Sequence, residues 1–146
     1  MRLPTAAALI SMALFSGCGE GRTPLRLGQT VSGTITRDDS CWVSCSPEKP
    51  GETQQCSGGC SHRYEIDVTA GMTYVITFGP GSTPEVQFED LEGGKFTDRN
   101  GGKGTSTSAR SSPATWVPVE TGVNRVGVYG LVDFLPATYS VTVTKQ

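Results

Sequence analysis

Between Arg63 and Phe78 the chain reads Arg63-Tyr64-Glu65-Ile66-Asp67-Val68, then Thr69-Ala70-Gly71, then Met72-Thr73-Tyr74-Val75-Ile76-Thr77-Phe78. Tyr64, Ile66 and Val68 alternate with charged neighbours, and Met72, Tyr74, Ile76 and Phe78 alternate with Thr73, Val75 and Thr77. Alternation with period two puts one set of side chains inside and the other in water, which is the pattern of a half-buried strand. The Thr69-Ala70-Gly71 interruption supplies a turn. Two strands joined by a short turn are therefore expected here.

The same pattern extends in both directions. Leu25 to Leu27 and Val31 to Ile35 read as opening strands joined at Gly28-Gln29. Val86 and Phe88 alternate with Glu85, Gln87 and Glu89. Residues 92–105 are Gly-rich and polar, and read as a long turn or loop. Thr115 to Val119, Asn124 to Gly130 and Ala137 to Thr144 read as further strands. Pro118 within the first of these requires an edge or a bulge, because it has no N–H to donate. Seven to nine short strands without a helical period predict an all-β fold, an antiparallel β-sandwich. With 146 residues the chain suits one domain. Acids and bases are interspersed at a net charge of −2. Nothing in them resembles the clustered Lys and Arg of a nucleic-acid binder.

The N-terminus reads as an export signal. Met1-Arg2 gives a positive start, and Leu3 to Phe15 is apolar but shorter than the ~20 residues a membrane-spanning helix needs. The run Leu14-Phe15-Ser16-Gly17-Cys18 resembles the lipobox of bacterial lipoproteins, with Phe15 where Leu is usual. That resemblance implies a signal peptide over 1–17, removed on export, and acylation (palmitate among the chains) of Cys18. It implies a tether over 18–24 and a lipid anchor in the cell envelope. Gly19 in place of Asp implies the outer membrane if the envelope is Gram-negative. Parity agrees: five Cys is an odd number, and lipidating Cys18 leaves four to pair.

Those four are Cys41, Cys45, Cys56 and Cys60, within a polar stretch, 37–61, that lacks alternation. Three residues separate each outer Cys from its inner neighbour. Pairing Cys41 with Cys60 and Cys45 with Cys56 therefore satisfies one antiparallel hairpin register. Its centre falls between Pro50 and Gly51, residues suited to a type II turn. Two other pairings remain open, as does tetrahedral zinc. Export favours disulfides over zinc. A disulfide-stapled hairpin insertion is expected, with Trp42 either packed for structure or offered as a contact surface. The Leu131 to Pro136 loop is expected to cap the sandwich or to expose Phe134 as a second contact.

From Leu25 to Thr144 the chain resembles the bacterial pre-peptidase C-terminal (PPC) domain, a jelly-roll-like β-sandwich. Leu27-Gly28, Gly33-Thr34-Ile35, the run Tyr64 to Gly71, Leu91-Glu92-Gly93-Gly94 and the ending Ala137 to Val143 carry the resemblance. His62 and Ala137 depart from it, standing where relatives place an acid and a Gly. The resemblance implies a domain over 25–146 that serves as an accessory or binding module on an exported protein. No catalytic residues and no cofactor or metal are assigned. His62, the only His, reads as a strand-edge surface residue. The adjacent acids Asp38-Asp39 and Glu89-Asp90 read as solvated rather than as calcium ligands. Gly101 to Thr105 lacks the spacing of a phosphate loop. The function expected is a non-catalytic, membrane-anchored binding or structural module with a protein or polysaccharide ligand. The alternative is an accessory or inhibitor-like partner of an exported peptidase or other secreted enzyme.

Overall fold

The computed structural model describes residues 22–146. The signal segment 1–17 and Cys18 lie outside the described residues. Along the chain run β1 (Thr23–Pro24), β2 (Thr30–Ile35), β3 (Ser40–Cys45), β4 (Cys56–Val68), β5 (Tyr74–Phe78) and β6 (Gln87–Asp90). They are followed by β7 (Lys95–Thr97), β8 (Lys103–Gly104), β9 (Ser106–Ser108), β10 (Ala114–Val117), β11 (Gly122–Leu131) and β12 (Ala137–Lys145). One sheet has the order β1-β4-β11-β6-β9, with β3 also on β4, and the other has the order β2-β12-β5-β10-β7-β8. From β4 onward the chain crosses between the sheets at nearly every step, which gives the sandwich its jelly-roll-like character. Every ladder is antiparallel except β1 with β4.

Period-two placement explains the packing. Tyr64, Ile66 and Val68 of β4 and Tyr74, Ile76 and Phe78 of β5 are buried, as are Val126 and Val128 of β11 and Tyr139, Val141 and Val143 of β12. At the centre sits Trp116, fully buried, with the rings of Tyr74, Phe88 and Phe96 at centroid distances of 5.6, 5.8 and 6.0 Å. Its Nε1–H donates to Asp90 at 3.0 Å. The same carboxylate accepts from the backbone N–H groups of Glu92 (2.8 Å) and Gly94 (3.0 Å). Gly94 is required there, because a Cβ would lie 2.2 Å from Asp90 Oδ2 and 2.4 Å from Trp116 Nε1. A buried charge costs heavily unless it is hydrogen-bonded, and three donors meet that need.

Several boundaries differ from the sequence expectation. Leu25–Leu27 is not a strand. Thr23–Pro24, which fall within the expected tether of 18–24, instead pair with β4 as a short strand. Leu25 is buried, and its N–H donates to Glu65 O at 2.8 Å. The polar stretch 92–105 carries β7 and β8. Phe96 in β7 stacks on Trp116 at an interplanar angle of 6°. Pro118 falls just after β10 and needs no bulge. The second strand of the hairpin is continuous with the sandwich, because β4 runs unbroken from Cys56 through Val68. Cys60 occupies an inward position in line with Tyr64 and is fully buried.

Candidate functional site

The cysteine register is the expected one. Cys41 faces Cys60 and Cys45 faces Cys56 across the β3–β4 ladder, and both pairs are disulfide-bonded. Gly51 has φ +79°, and Glu52 N–H donates to Lys49 O at 3.1 Å, closing the Pro50-Gly51 turn. Ordered pairing ends at Cys45–Cys56, and residues 46–55 form a wider tip. Ser46 N–H to Gln55 O (2.7 Å) and Gln54 Nε2 to Ser46 O (2.9 Å) close its base.

Alternation along β3 and β4 separates the hairpin into two faces. The bridges share the face that continues into the core. The opposite face carries Ser40, Trp42 and Ser44 of β3 beside Ser57, Gly59 and Ser61 of β4. Trp42 is 61 % exposed, so it packs neither on the bridges nor into the core. Its cross-strand partner is Gly59, where a Cβ would come within 2.5 Å of Gly130 O. Gly58 has φ +126°, and a Cβ there would come within 2.0 Å of Trp42 O. The backbone geometry thus leaves the indole without a tall neighbour across the strand. Leu131 pairs with Gly59 on the other side, and the single 3-10 turn Val132–Phe134 follows it. Val132 is buried and Leu135 packs on the core, so this loop caps the sandwich. Phe134 remains 43 % exposed.

Beneath the hairpin lies an arrangement that sequence reading missed. Asp39 Oδ1 is 3.1 Å from His62 Nε2. His62 Nδ1 is 2.7 Å from the Tyr139 hydroxyl, which lies 2.5 Å from that of Tyr64. Asp39 comes from the β2–β3 turn, His62 and Tyr64 from β4, and Tyr139 from the facing sheet. Gly33, opposite Tyr139 on β2, makes room: a Cβ there would sit 3.0 Å from both His62 Nδ1 and Tyr139 Oη. One directed chain satisfies every member when the imidazole is neutral. Tyr64 donates to Tyr139, Tyr139 donates to Nδ1, and Nε2–H donates to the Asp39 carboxylate. His62, partly exposed at the edge of β4, ties the hairpin base to the second sheet.

This arrangement bounds the chemistry. His62 faces an open cleft of about 460 Å³ that Thr23, Asp39 and Tyr64 also line. Both ring nitrogens are already engaged, so no lone pair is presented to a substrate in this state. Ser61, adjacent on the same strand, points to the opposite face. Asp90 is turned inward to Trp116, and Asp98 accepts the N–H groups of Asn100 and Gly102, which organises the Gly101 turn. Among the described residues, no group of three or more His, Cys, Asp or Glu side chains is arranged to hold a metal ion.

The backbone N–H of Thr36, 2.7 Å away, holds the Asp39 carboxyl below its ordinary range. Stability from this group is therefore present above about pH 4 and is lost as pH falls below it. Burial, reinforced by the Tyr64 hydroxyl, pushes the Tyr139 phenol well up. Folded Tyr139 keeps its proton at a pH where the unfolded chain has lost it. Stability from Tyr139 is therefore full below about pH 10 and falls above it, by up to ~1.4 kcal/mol per pH unit. Urea melts between pH 8 and 11.5 should show this decline, and Tyr139→Phe should flatten it. Equal slopes in both proteins would contradict the assignment.

Comparison with protein-family models, with curated proteins and with solved structures finds no match to this chain.

Proposed function

We propose that this chain is an exported, lipid-anchored β-sandwich of the cell envelope that works by contact rather than catalysis, with the stapled hairpin as its contact element. The observation that carries the reading is Trp42, exposed on a face of small residues and held there by two disulfides. Large aromatic side chains dominate contact energies, and a braced element loses little freedom on binding. Cysteine pairing supports the anchor: the two bridges use four of five thiols and leave Cys18 for lipid. The PPC-like pattern supports an accessory domain. The committed nitrogens of His62 favour contact over general-base chemistry.

Two measurements test this. The native chain should have the mass of residues 18–146 with acyl groups added and four thiol hydrogens missing. A photo-crosslinking residue at position 42 should give adducts in intact envelopes, whereas one at Val123, exposed near the start of β11, should give few. An unacylated chain that keeps residues 1–17, or equal adduct yields from the two positions, would refute the reading.

A further inference from the structure

We infer that the surface contacted by the hairpin is the membrane that carries the anchor, with Trp42 seated in the lipid headgroup layer. The inference rests on the lipidation of Cys18 proposed above. Its first support is the direction of β1. Thr23 pairs with Tyr64 and Pro24 with Glu65 in parallel, the only parallel contact among the described strands. In a parallel pair, the chain before Thr23 enters from the side of the residues before Tyr64, and on β4 those residues lead into the hairpin.

Length is the second support. Cys18 stands five residues before Thr23, a span of at most about 17 Å even when fully extended. Trp42 pairs with Gly59, five positions along β4 from Tyr64, which is also about 17 Å at strand spacing. Measured along β4 from the Thr23 rung, the hairpin therefore extends at least as far as the lipid attachment point can reach. A tether this short does not let the hairpin stand clear of the surface from which the chain emerges.

Surface chemistry is the third. The face around Trp42 presents Ser40, Ser44, Ser57 and Ser61, with Arg63 as the next outward side chain along β4. An indole has an apolar body and one N–H donor, and it settles where hydrocarbon meets water. Small hydroxyls around it suit a layer of polar headgroups. The tip carries Glu48, Lys49 and Glu52, with no cluster of bases to bind anionic lipid electrostatically. The charged tip lies beyond Trp42 and stays in water, so the hairpin rests inclined with its Trp42 face on the surface, and seating should be nearly independent of salt. The bridges keep the hairpin ordered, so little is lost in ordering it at the interface. Docking of this kind would fix the orientation of the sandwich and turn its far end, with exposed Val119 and Val123, away from the bilayer.

The test uses the native acylated chain in vesicles of phosphatidylethanolamine and phosphatidylglycerol, with and without brominated acyl chains. The protein has two tryptophans, and buried Trp116 serves as the internal reference. Trp42 emission should be quenched by the brominated lipid at low and high salt alike. Trp42→Ala should co-float with the vesicles and show no quenching. An acylated chain that co-floats while Trp42 stays unquenched and open to aqueous iodide overturns the docking alone. A chain without acyl groups that fails to co-float overturns the anchor and the docking with it. Protection from iodide that arises in whole envelopes and not in vesicles also overturns it, in favour of a protein or polysaccharide contact.

Discussion

Trp116→Ala should lower stability by about 3–5 kcal/mol, the usual cost of deleting a fully buried large aromatic. The residue is 0 % exposed and contacts the rings of Tyr74, Phe88 and Phe96, so no neighbour can swing in to fill the space without giving up its own packing. The indole N–H is also lost to Asp90, which keeps only its two backbone donors. Against a total of roughly 5–15 kcal/mol for a domain, this leaves little reserve. Trp116→Phe separates the two effects. It keeps much of the ring and removes the donor, and a hydrogen bond to a charged group contributes about 1.5–3 kcal/mol. Urea denaturation followed by circular dichroism gives both values. A loss below about 1.5 kcal/mol for the alanine variant would mean that the aromatic centre is packed differently.

Removing the Cys41–Cys60 bridge, by Cys41→Ala with Cys60→Ala, should cost about 3 kcal/mol through the freed unfolded chain. The bridge spans a sequence separation of 19, against 11 for Cys45–Cys56. Its larger effect has a second source, because Cys60 is a fully buried member of the core whereas Cys45 is exposed. Removing Cys45–Cys56 should mainly loosen residues 46–55 and leave the sandwich's midpoint closer to the parent. Hydrogen exchange separates the cases: the first pair of substitutions should speed exchange along β4 into the core, and the second only at the tip. The reverse ranking would place the structural burden on the Cys45–Cys56 bridge.

The fold was legible wherever alternation was. From Tyr64 to Val68, Tyr74 to Phe78 and Ala137 to Val143, period two predicted which side chains are buried, because a strand between water and a core has only two faces; Met72, placed inward by the same pattern, is exposed because it precedes β5 in the turn. The cysteine register was legible for a related reason, since equal spacings admit one antiparallel pairing. Phe96 escaped notice because one aromatic among glycines has no period, and only its stacking on Trp116 reveals a strand. The Asp39–His62–Tyr139–Tyr64 chain escaped because its members lie up to about a hundred residues apart and meet only when the two sheets close. One clue was present: His62 shares parity with Tyr64 and Ile66, which points it inward. Trp42 could be read either way. Its exposure depends on Gly58 and Gly59, whose backbone approaches are a property of three strands at once.

β4 serves the tip and the interior as one uninterrupted strand. Its ladder with β11 runs from Gly59↔Leu131 to Val68↔Gly122, and all of its rungs lie across the strand axis. A tug on the tip along that axis loads those rungs together, in shear, and cannot peel them one after another. The domain is thus built as a stiff strut: a mechanical load arriving at one extremity is shared across the sheet before any single bond has to yield.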